Sequence, residues 1–524
     1  MTDFVSILYV DYNNNFYKEN INIPDFFVDL NLDQIVNEIL EGKEEYDLSI
    51  FFYDKLKDIN EINYRLEVMQ EVENPHIYDI ISTFSSQMRK FREYMEYSNS
   101  LFNKSQREKW FLDASSFYCS SIIELYEALN SLKLKSKGFN LFYNWLNNYV
   151  NSDSFKLLCS ECNKLLGKFS QIHYNIRISR DKDVVVSFED NEFDYCEALN
   201  NTFKDVNENV FDYEISFYKD VEMCPLESLI LDIVKKKNMK LFDELSIYNK
   251  KHSNFINKNI TQFDREIQFY VSYIDYITKL RKKGFNFTYP EISKTKSIKL
   301  SGIYDLALAY KTLCTGETVV CNDLYLDQEE RILILTGPNQ GGKTTFARAF
   351  GQIFYLASLG CPVPCKGASV FLYDNLYTHF SALENLSADT GKLKEELIRL
   401  KQIISEATTN SIIILNELFA TTTTYDAYSM GKHILDYFIG LDCVCLYVTH
   451  IYELTQISQK TVSLVAAIDS GGLKASRNSA ERTYKIIRKP ADGIAYANSI
   501  AEKYNMSYDS IKERVSKKEH ITIN

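Results

Sequence analysis

Glycine is spread unevenly along this chain, and that unevenness constrains the fold more than any other feature. Of 18 glycines in 524 residues, residues 1–300 hold four (Gly42, Gly138, Gly167 and Gly284), and 301–524 hold the other fourteen. A helix interior tolerates few glycines, because each costs about 1 kcal/mol against alanine, whereas tight strand-to-helix turns demand them. No proline lies between Pro75 and Pro225, so helices there meet no residue lacking an amide hydrogen. The first half is therefore expected to be helical and the second to alternate strands with helices. The length exceeds one ordinary core and predicts two or three domains.

Periodicity agrees with this division. In SIIELYEALNSLKL, Ile122, Leu125, Leu129 and Leu132 recur at spacings of three and four and predict one apolar helix face. Similar patterns predict a helix over Asp33–Leu40, with an acidic start at Asp29, and another over Asp264–Leu280. The aromatic run FYVSYIDYITKL reads as packing between long helices. In IHYNIRISRDKDVVVSF the period is two, which predicts a β-hairpin within 172–188. Farther on, RILILTG, SIIILNE and CVCLYVTH read as strands buried on both faces, the mark of a largely parallel sheet covered by helices. The expected class is α plus α/β: a helical region over 1–295 carrying the hairpin, then an α/β domain over 296–524.

Composition narrows the function classes. Hydrophobic residues make up 45% and charged residues 25%, the profile of a soluble globular chain. No run of about 18 uncharged apolar residues occurs, so no membrane span is expected. The start, MTDFVSILYVDYNNN, lacks the basic flank of a secretory signal. Eleven scattered cysteines fit a reducing, cytoplasmic setting. Cys159 and Cys162 form a CxxC in a helical pattern, and Cys361 and Cys365 flank Pro-Val-Pro. Buried thiols are favoured over a joint zinc site, because no second pair has ligand spacing. A net charge of −12 argues against coating nucleic acid by bulk attraction. Local basic surfaces remain open at Lys133, Lys135 and Lys137, at Lys235 to Lys237 and at Arg281 to Lys283; each also reads as a solvated helix end.

Three segments carry chemistry. In ILILTGPNQGGKTTFARAF, Gly337, Gly342, Lys343 and Thr344 match GxxxxGKT between an apolar run and a helical pattern. Such a loop wraps a phosphate with main-chain N–H groups and a helix N-terminus, its lysine reaches the outer phosphates, and its hydroxyl faces Mg²⁺. In SIIILNELFATTTTYDA an apolar strand ends at Asn416-Glu417. Phosphate-loop ATPases usually place Asp-Glu there, the Asp helping to hold Mg²⁺ and the Glu orienting water. Asn416 keeps an acceptor but loses the charge, which predicts weaker Mg²⁺ retention and slower hydrolysis. In CVCLYVTHIYEL a strand ends at Thr449-His450, where a polar residue can sense the γ-phosphate or its water.

TGPNQGGKT, NELFATTTTYDA and VTHIYELT resemble the signatures of the MutS mismatch-repair ATPases, in the same order and at similar spacing. VVCNDLYL resembles the family's VPND segment. RTYKIIRKPADGIAYANSIAEKYNMSYDSIKERV is similar to its C-terminal helical tail, which aids dimerisation. FFVDLNLDQIV and YDLSIFFYDKLKDINEINYRLEVMQEV resemble the start of its core and lever helices. The likeness covers most of the chain and is sharp over about 320–460.

The resemblance implies an ABC-like ATPase domain using ATP and Mg²⁺. Gly337, Pro338, Asn339, Gln340, Gly341, Gly342, Lys343, Thr344 and Thr345 would bind nucleotide, and Thr344 and Asn416 would hold the metal, the latter through water. Glu417 would be the catalytic carboxylate and His450 the switch. It further implies a homodimer through the ATPase domains and DNA as partner, in DNA repair. Three departures qualify this. Gly391-Lys392-Leu393 stands where the family's Ser-Thr-Phe reaches across the dimer. The core begins by about residue 25, with no stretch for the Phe-x-Glu wedge domain; Phe91-Arg92-Glu93 and Phe242-Asp243-Glu244 match that motif by letters only. The clamp is reduced to the Ile172–Phe188 hairpin. DNA contact is therefore expected through shape or backbone. The competing expectation is a nucleotide-gated scaffold that hydrolyses poorly and binds protein. A transporter-type ATPase is disfavoured, since no LSGGQ-like signature is present.

Overall fold

The structure is a computed structural model; it describes residues 6–10, 23–178, 184–188, 223–327, 329–380, 392–420, 422–469, 481–491, 508 and 510–512. Described residues fall into two compact units, the first from Asn74–Lys135 and Phe139–Asp264, the second from Val5–Glu73, Ser136–Gly138 and Arg265–Asn524. No helix among them is long and apolar enough to cross a membrane.

The first unit is built on two long helices, Pro75–Ser100 and Lys104–Asn130. Each begins at an asparagine cap. Asn74 Oδ1 accepts the His76 amide at 3.0 Å with Pro75 at the first helical position, and Asn103 Oδ1 accepts the Ser105 and Gln106 amides at 3.0 and 3.1 Å. Ile77, Ile81, Phe84, Met88 and Phe91 form the buried stripe of one helix, and Leu112, Ile122, Leu125 and Leu129 belong to the buried face of the other. Phe91, Tyr118 and Phe255 close the core as an aromatic triad with centroids 5.2–6.0 Å apart. The expected stripe therefore holds up to Leu129 but not to Leu132. The helix ends at Asn130, where the Ser131 amide turns back onto Glu127 and Ala128. Cys162, on the helix Asp153–Phe169, is buried with its thiol 3.6 Å from the Leu112 carbonyl. The expected hairpin is present as β1 (Asn175–Ile178) paired antiparallel with β2 (Val184–Ser187); its turn lies outside the described residues.

The second unit holds two sheets. One is four-stranded, in the order β3–β7–β4–β5, from β3 (Glu291–Ser293), β4 (Ile298–Ile303), β5 (Asn322–Leu326) and β7 (Gly367–Phe371). The larger has six strands, β6 (Ile332–Thr336), β8 (Leu376–Phe380), β9 (Ile412–Asn416), β10 (Val444–Val448), β11 (Thr461–Asp469) and β12 (Glu481–Arg488), ordered β12–β11–β6–β10–β9–β8. All its pairings are parallel except β11 with β12. Every residue of β6, β9 and β10 is buried, which explains why these runs show no alternation. Ile332, Ile334, Ile413, Leu415, Cys445 and Tyr447 share one core with the helices Lys392–Glu406 and Thr424–Leu441. The helix Lys343–Ser358 packs on β9 and β10.

That helix is enclosed by the chain's early residues. Gln352 Nε2 donates to the Leu30 carbonyl at 2.9 Å, the Tyr355 hydroxyl to the Phe52 carbonyl at 2.6 Å, and the Leu56 amide to the Ser358 carbonyl at 3.0 Å. Asp29 does not start the following helix as expected. It ends the one-turn helix Phe26–Asp29, Asn31 breaks the chain at φ +55°, and Leu32–Leu40 follows. The Asp29 carboxylate instead accepts from Thr378 Oγ1 at 2.6 Å and Arg399 at 2.7 Å.

Residues 6–9 are anchored by two buried charges. Glu266 accepts from Ser6 Oγ and the Ile7 amide, both at 2.8 Å. Arg65, fully buried, donates to the Leu8 carbonyl at 2.9 Å and the Leu359 carbonyl at 3.2 Å, and its guanidinium lies 4.8 Å from the Tyr9 ring centroid. The Arg65 stem needs Gly360: that residue has φ +74°, and a Cβ there would sit 2.6 Å from Arg65 Cβ. Gly360→Ala is therefore expected to destabilise the fold by about 2–4 kcal/mol, from left-handed backbone strain plus overpacking, read as a lower midpoint in urea unfolding.

Candidate nucleotide site

The site forms where three separate segments end together at the carboxyl edge of the six-stranded sheet. Strand β6 runs into the loop 337–342 and then into the helix Lys343–Ser358. Gly337 must be glycine there: its φ is +131°, and a Cβ would lie 2.8 Å from Ala466 Cβ on β11. Gln340 takes φ +59°. The Lys343 side chain folds back over the loop, its ammonium donating to the Gly337 and Pro338 carbonyls, both at 3.0 Å. Burial lowers the Lys343 pKa from its ordinary value, and the charge of Glu417, 3.9 Å away, opposes that shift. A buried ammonium held by two weak acceptors suits exchange for phosphate oxygens, which are stronger partners.

Strands β9 and β10 supply the opposite wall. Asn416 ends β9 and accepts the Thr344 hydroxyl at 3.3 Å. Glu417 follows at φ +55°, its amide bonded to the Val448 carbonyl at 2.9 Å. His450, just past β10, has Nε2 3.2 Å from Glu417 Oε1. The His450 hydrogen bond, then the charges of His450 and Lys343, hold the Glu417 carboxyl below its usual range against partial burial. Non-glycine residues with positive φ are uncommon, and Gln340, Glu417, Phe419 and Tyr484 are four of seven among the described residues. Such strain concentrates where side chains must be aimed.

Beside the loop lies a cavity of about 800 Å³, within the range of small-molecule pockets. Gln340, Gly342, Lys343, Thr344, Thr345 and Glu417 line it. Gly337, Pro338, Asn339 and Gly341 in the loop, and Asn416 and His450 at the strand ends, are not among the residues that line it. Its other walls come from Asp305, Leu308, Val319 and Val320, and from Tyr484. None of these carried a role in the sequence reading, although VVCND was singled out. Asn322 explains that segment: its Nδ2 donates to the Tyr484 carbonyl at 3.2 Å and its Oδ1 accepts the Ile486 amide at 2.7 Å, stitching β5 to β12 across the mouth. The stretch likened to a helical tail opens at Arg482 within the strand Glu481–Arg488 rather than in a helix; that strand extends the sheet antiparallel to β11, and the described residues 508 and 510–512 are helical. Gly391 lies outside the described residues, and Lys392 begins the helix Lys392–Glu406.

For a metal, Thr344 Oγ1 and Asn416 Oδ1 present two neutral oxygens beside the Glu417 carboxylate. No group of three or more His, Cys, Asp or Glu among the described residues could hold an ion alone. This donor set fits a hard cation completed by phosphate oxygens and water.

A phosphate-type loop between a central parallel strand and its helix, at the carboxyl edge of a covered sheet, defines an α/β domain of the P-loop class. Residues 333–519, about a third of the chain, match the family model described as MutS domain V. The chain is similar to the DNA mismatch repair protein MutS of Orientia tsutsugamushi (31% identity over 181 residues, 34% of this chain and 20% of the relative). It is also similar to that of Fervidobacterium nodosum (29% over 276 residues, 48% of this chain and 32% of the relative) and of an Exiguobacterium strain (35% over 158 residues, 29% and 19%). The chain thus spans about a fifth to a third of the length of the curated relatives it matches.

Because the Glu417 value is depressed on folding, its interactions stabilise the protein above the ordinary glutamate range and are lost as pH falls through the depressed value. His450→Ala removes the largest lowering influence. Glu417 is then expected to protonate at a higher pH than in wild type, followed by NMR of a ¹³C-labelled glutamate carboxyl.

Proposed function

We propose that the chain is a MutS-type ATPase: it binds ATP with Mg²⁺ on the 337–345 loop, hydrolyses it with Glu417 as catalytic carboxylate, and uses the cycle to act on DNA. The observation that carries this reading is the meeting of Lys343, Thr344, Asn416, Glu417 and His450, from three segments far apart in sequence, around one loop. The loop amides and the helix N-terminus supply partial positive charge for the phosphates. Lys343 exchanges its two carbonyl partners for outer phosphate oxygens. The cavity walls around Leu308, Val319 and Tyr484 receive the base and sugar. Glu417, kept ionised by His450, orients the attacking water and takes its proton. Bound Mg²⁺ neutralises charge on the phosphates, and Thr344 and Asn416 are the residues that would hold it.

The wider assignments rest on family likeness. The helical region 1–295 transmits the state of the 296–524 ATPase domain to DNA, and two such domains pair as a homodimer. The DNA is duplex, branched or distorted, and it is met through backbone or shape. Salt-sensitive DNA binding that changes with ATP supports this part; no binding at low salt, with or without nucleotide, ends it. The second reading, a nucleotide-gated scaffold that turns over poorly and binds a protein partner, draws on one observation: Asn416 offers Thr344 a neutral acceptor where a carboxylate would serve the metal better.

Turnover separates the two. With Glu417→Gln, ATP binding measured by calorimetry is expected to stay within about threefold of wild type while kcat drops at least ~100-fold. A wild type no faster than this variant removes the ATPase reading. Asn416→Asp restores the charge and is expected to lower the Mg²⁺ concentration for half-maximal turnover by roughly 3–10-fold.

A further inference from the structure

Glu417 is the first residue of a strained turn, and that turn has a second anchor outside the motif. Glu417 and Phe419 take φ +55° and +61°. The Glu417 amide is held by the Val448 carbonyl at 2.9 Å, and the Phe419 amide by the Glu396 carboxylate at 3.2 Å. Glu396 and Phe419 are both almost wholly buried, at 3% and 1% exposure. A carboxylate is rarely buried unless it is bonded to something that needs it. Glu396 sits on the helix Lys392–Glu406, which is itself fixed on two sides: Leu400 and Ile403 pack into the sheet core, and Arg399 donates to Asp29 at 2.7 Å. The helix therefore presents the carboxylate from a rigid base to the Phe419 amide, within the turn that aims Glu417.

We propose that Glu396 is a positioning residue for Glu417, clamping the Glu417–Phe419 turn through the Phe419 amide so that the Glu417 carboxylate faces the loop. This deepens the ATPase reading and rests on it. Without the acceptor, the buried Phe419 amide has an incentive to reopen the turn toward other partners, and Glu417 loses its aim while the phosphate loop is untouched.

The test uses the full chain with ATP and Mg²⁺. Glu396→Leu removes the acceptor, and Glu396→Asp keeps the charge but withdraws it by one methylene. In both, kcat is expected to fall at least ~10-fold with ATP affinity within about threefold of wild type. Glu396→Gln, whose amide oxygen still accepts, is expected to stay within about threefold in kcat. In a Glu417→Gln background, Glu396→Asp is expected to bring no further loss, because the two act through one group. Hydrogen exchange at 417–420 is expected to speed up in Glu396→Asp. Wild-type turnover in the Leu or Asp variant, or losses that add in the double variant, overturns the proposal and leaves the nucleotide site standing. An absence of ATP uptake by wild type overturns the site reading itself.

Discussion

A buried ammonium has to be answered by acceptors, and the region around Lys343 is organised by that requirement. Its charge is met by two loop carbonyls and a carboxylate nearly 4 Å away. None of these partners is a close ion pair, so the lysine is held but not neutralised. The arrangement requires the loop to curl tightly at the end of β6, which Gly337 permits against β11, and requires β9 and β10 to end beside it. The parallel sheet supplies that alignment, because neighbouring parallel strands finish at the same edge. The helix Lys343–Ser358 must then be shielded along its length, and residues 27–56 provide the cover.

Much of this was legible in the residues. The runs ending at Thr336, Asn416 and Val448 read as doubly buried strands and are so, because a parallel sheet under helices erases alternation. Motif order then placed Glu417 and His450 at strand ends, and Lys343 where the loop enters a helix. What was not legible depends on distant partners. Tyr484 carries no local mark of its place, and it reaches the cavity only because β12 turns back antiparallel at a register shift. The likeness to a helical tail hid a strand there, since T-Y-K-I-I-R alternates too briefly to outweigh it. Asp29 looked like a helix start because acidic residues favour first turns; it serves instead as an acceptor for Thr378 and Arg399, residues 349 and 370 positions away. Glu396 gave no signal, being one of two adjacent glutamates in a charged helix.

On the proposed reading, Asn416 stands where a phosphate-loop ATPase usually carries a carboxylate, which would tune the chemistry at constant shape. Asparagine has nearly the same size and keeps an oxygen toward Thr344, so the strand end and its hydrogen bond survive. On that reading, only the electrostatic pull on a cation would differ. The site thus separates two properties usually read together from a motif, the scaffold that places groups and the charge that they carry.

The enclosure of the helix Lys343–Ser358 by early residues bears on how the protein can be divided. The unit that contains the loop is not a contiguous stretch of chain: it draws on Val5–Glu73 as well as Arg265–Asn524. A recombinant piece starting near 296 would leave Gln352, Tyr355 and Ser358 facing solvent and strip Arg65 from Gly360. Any dissection that aims to keep the phosphate loop working must therefore retain the amino-terminal seventy or so residues, for instance by linking them to the carboxyl-terminal half or supplying them as a second polypeptide.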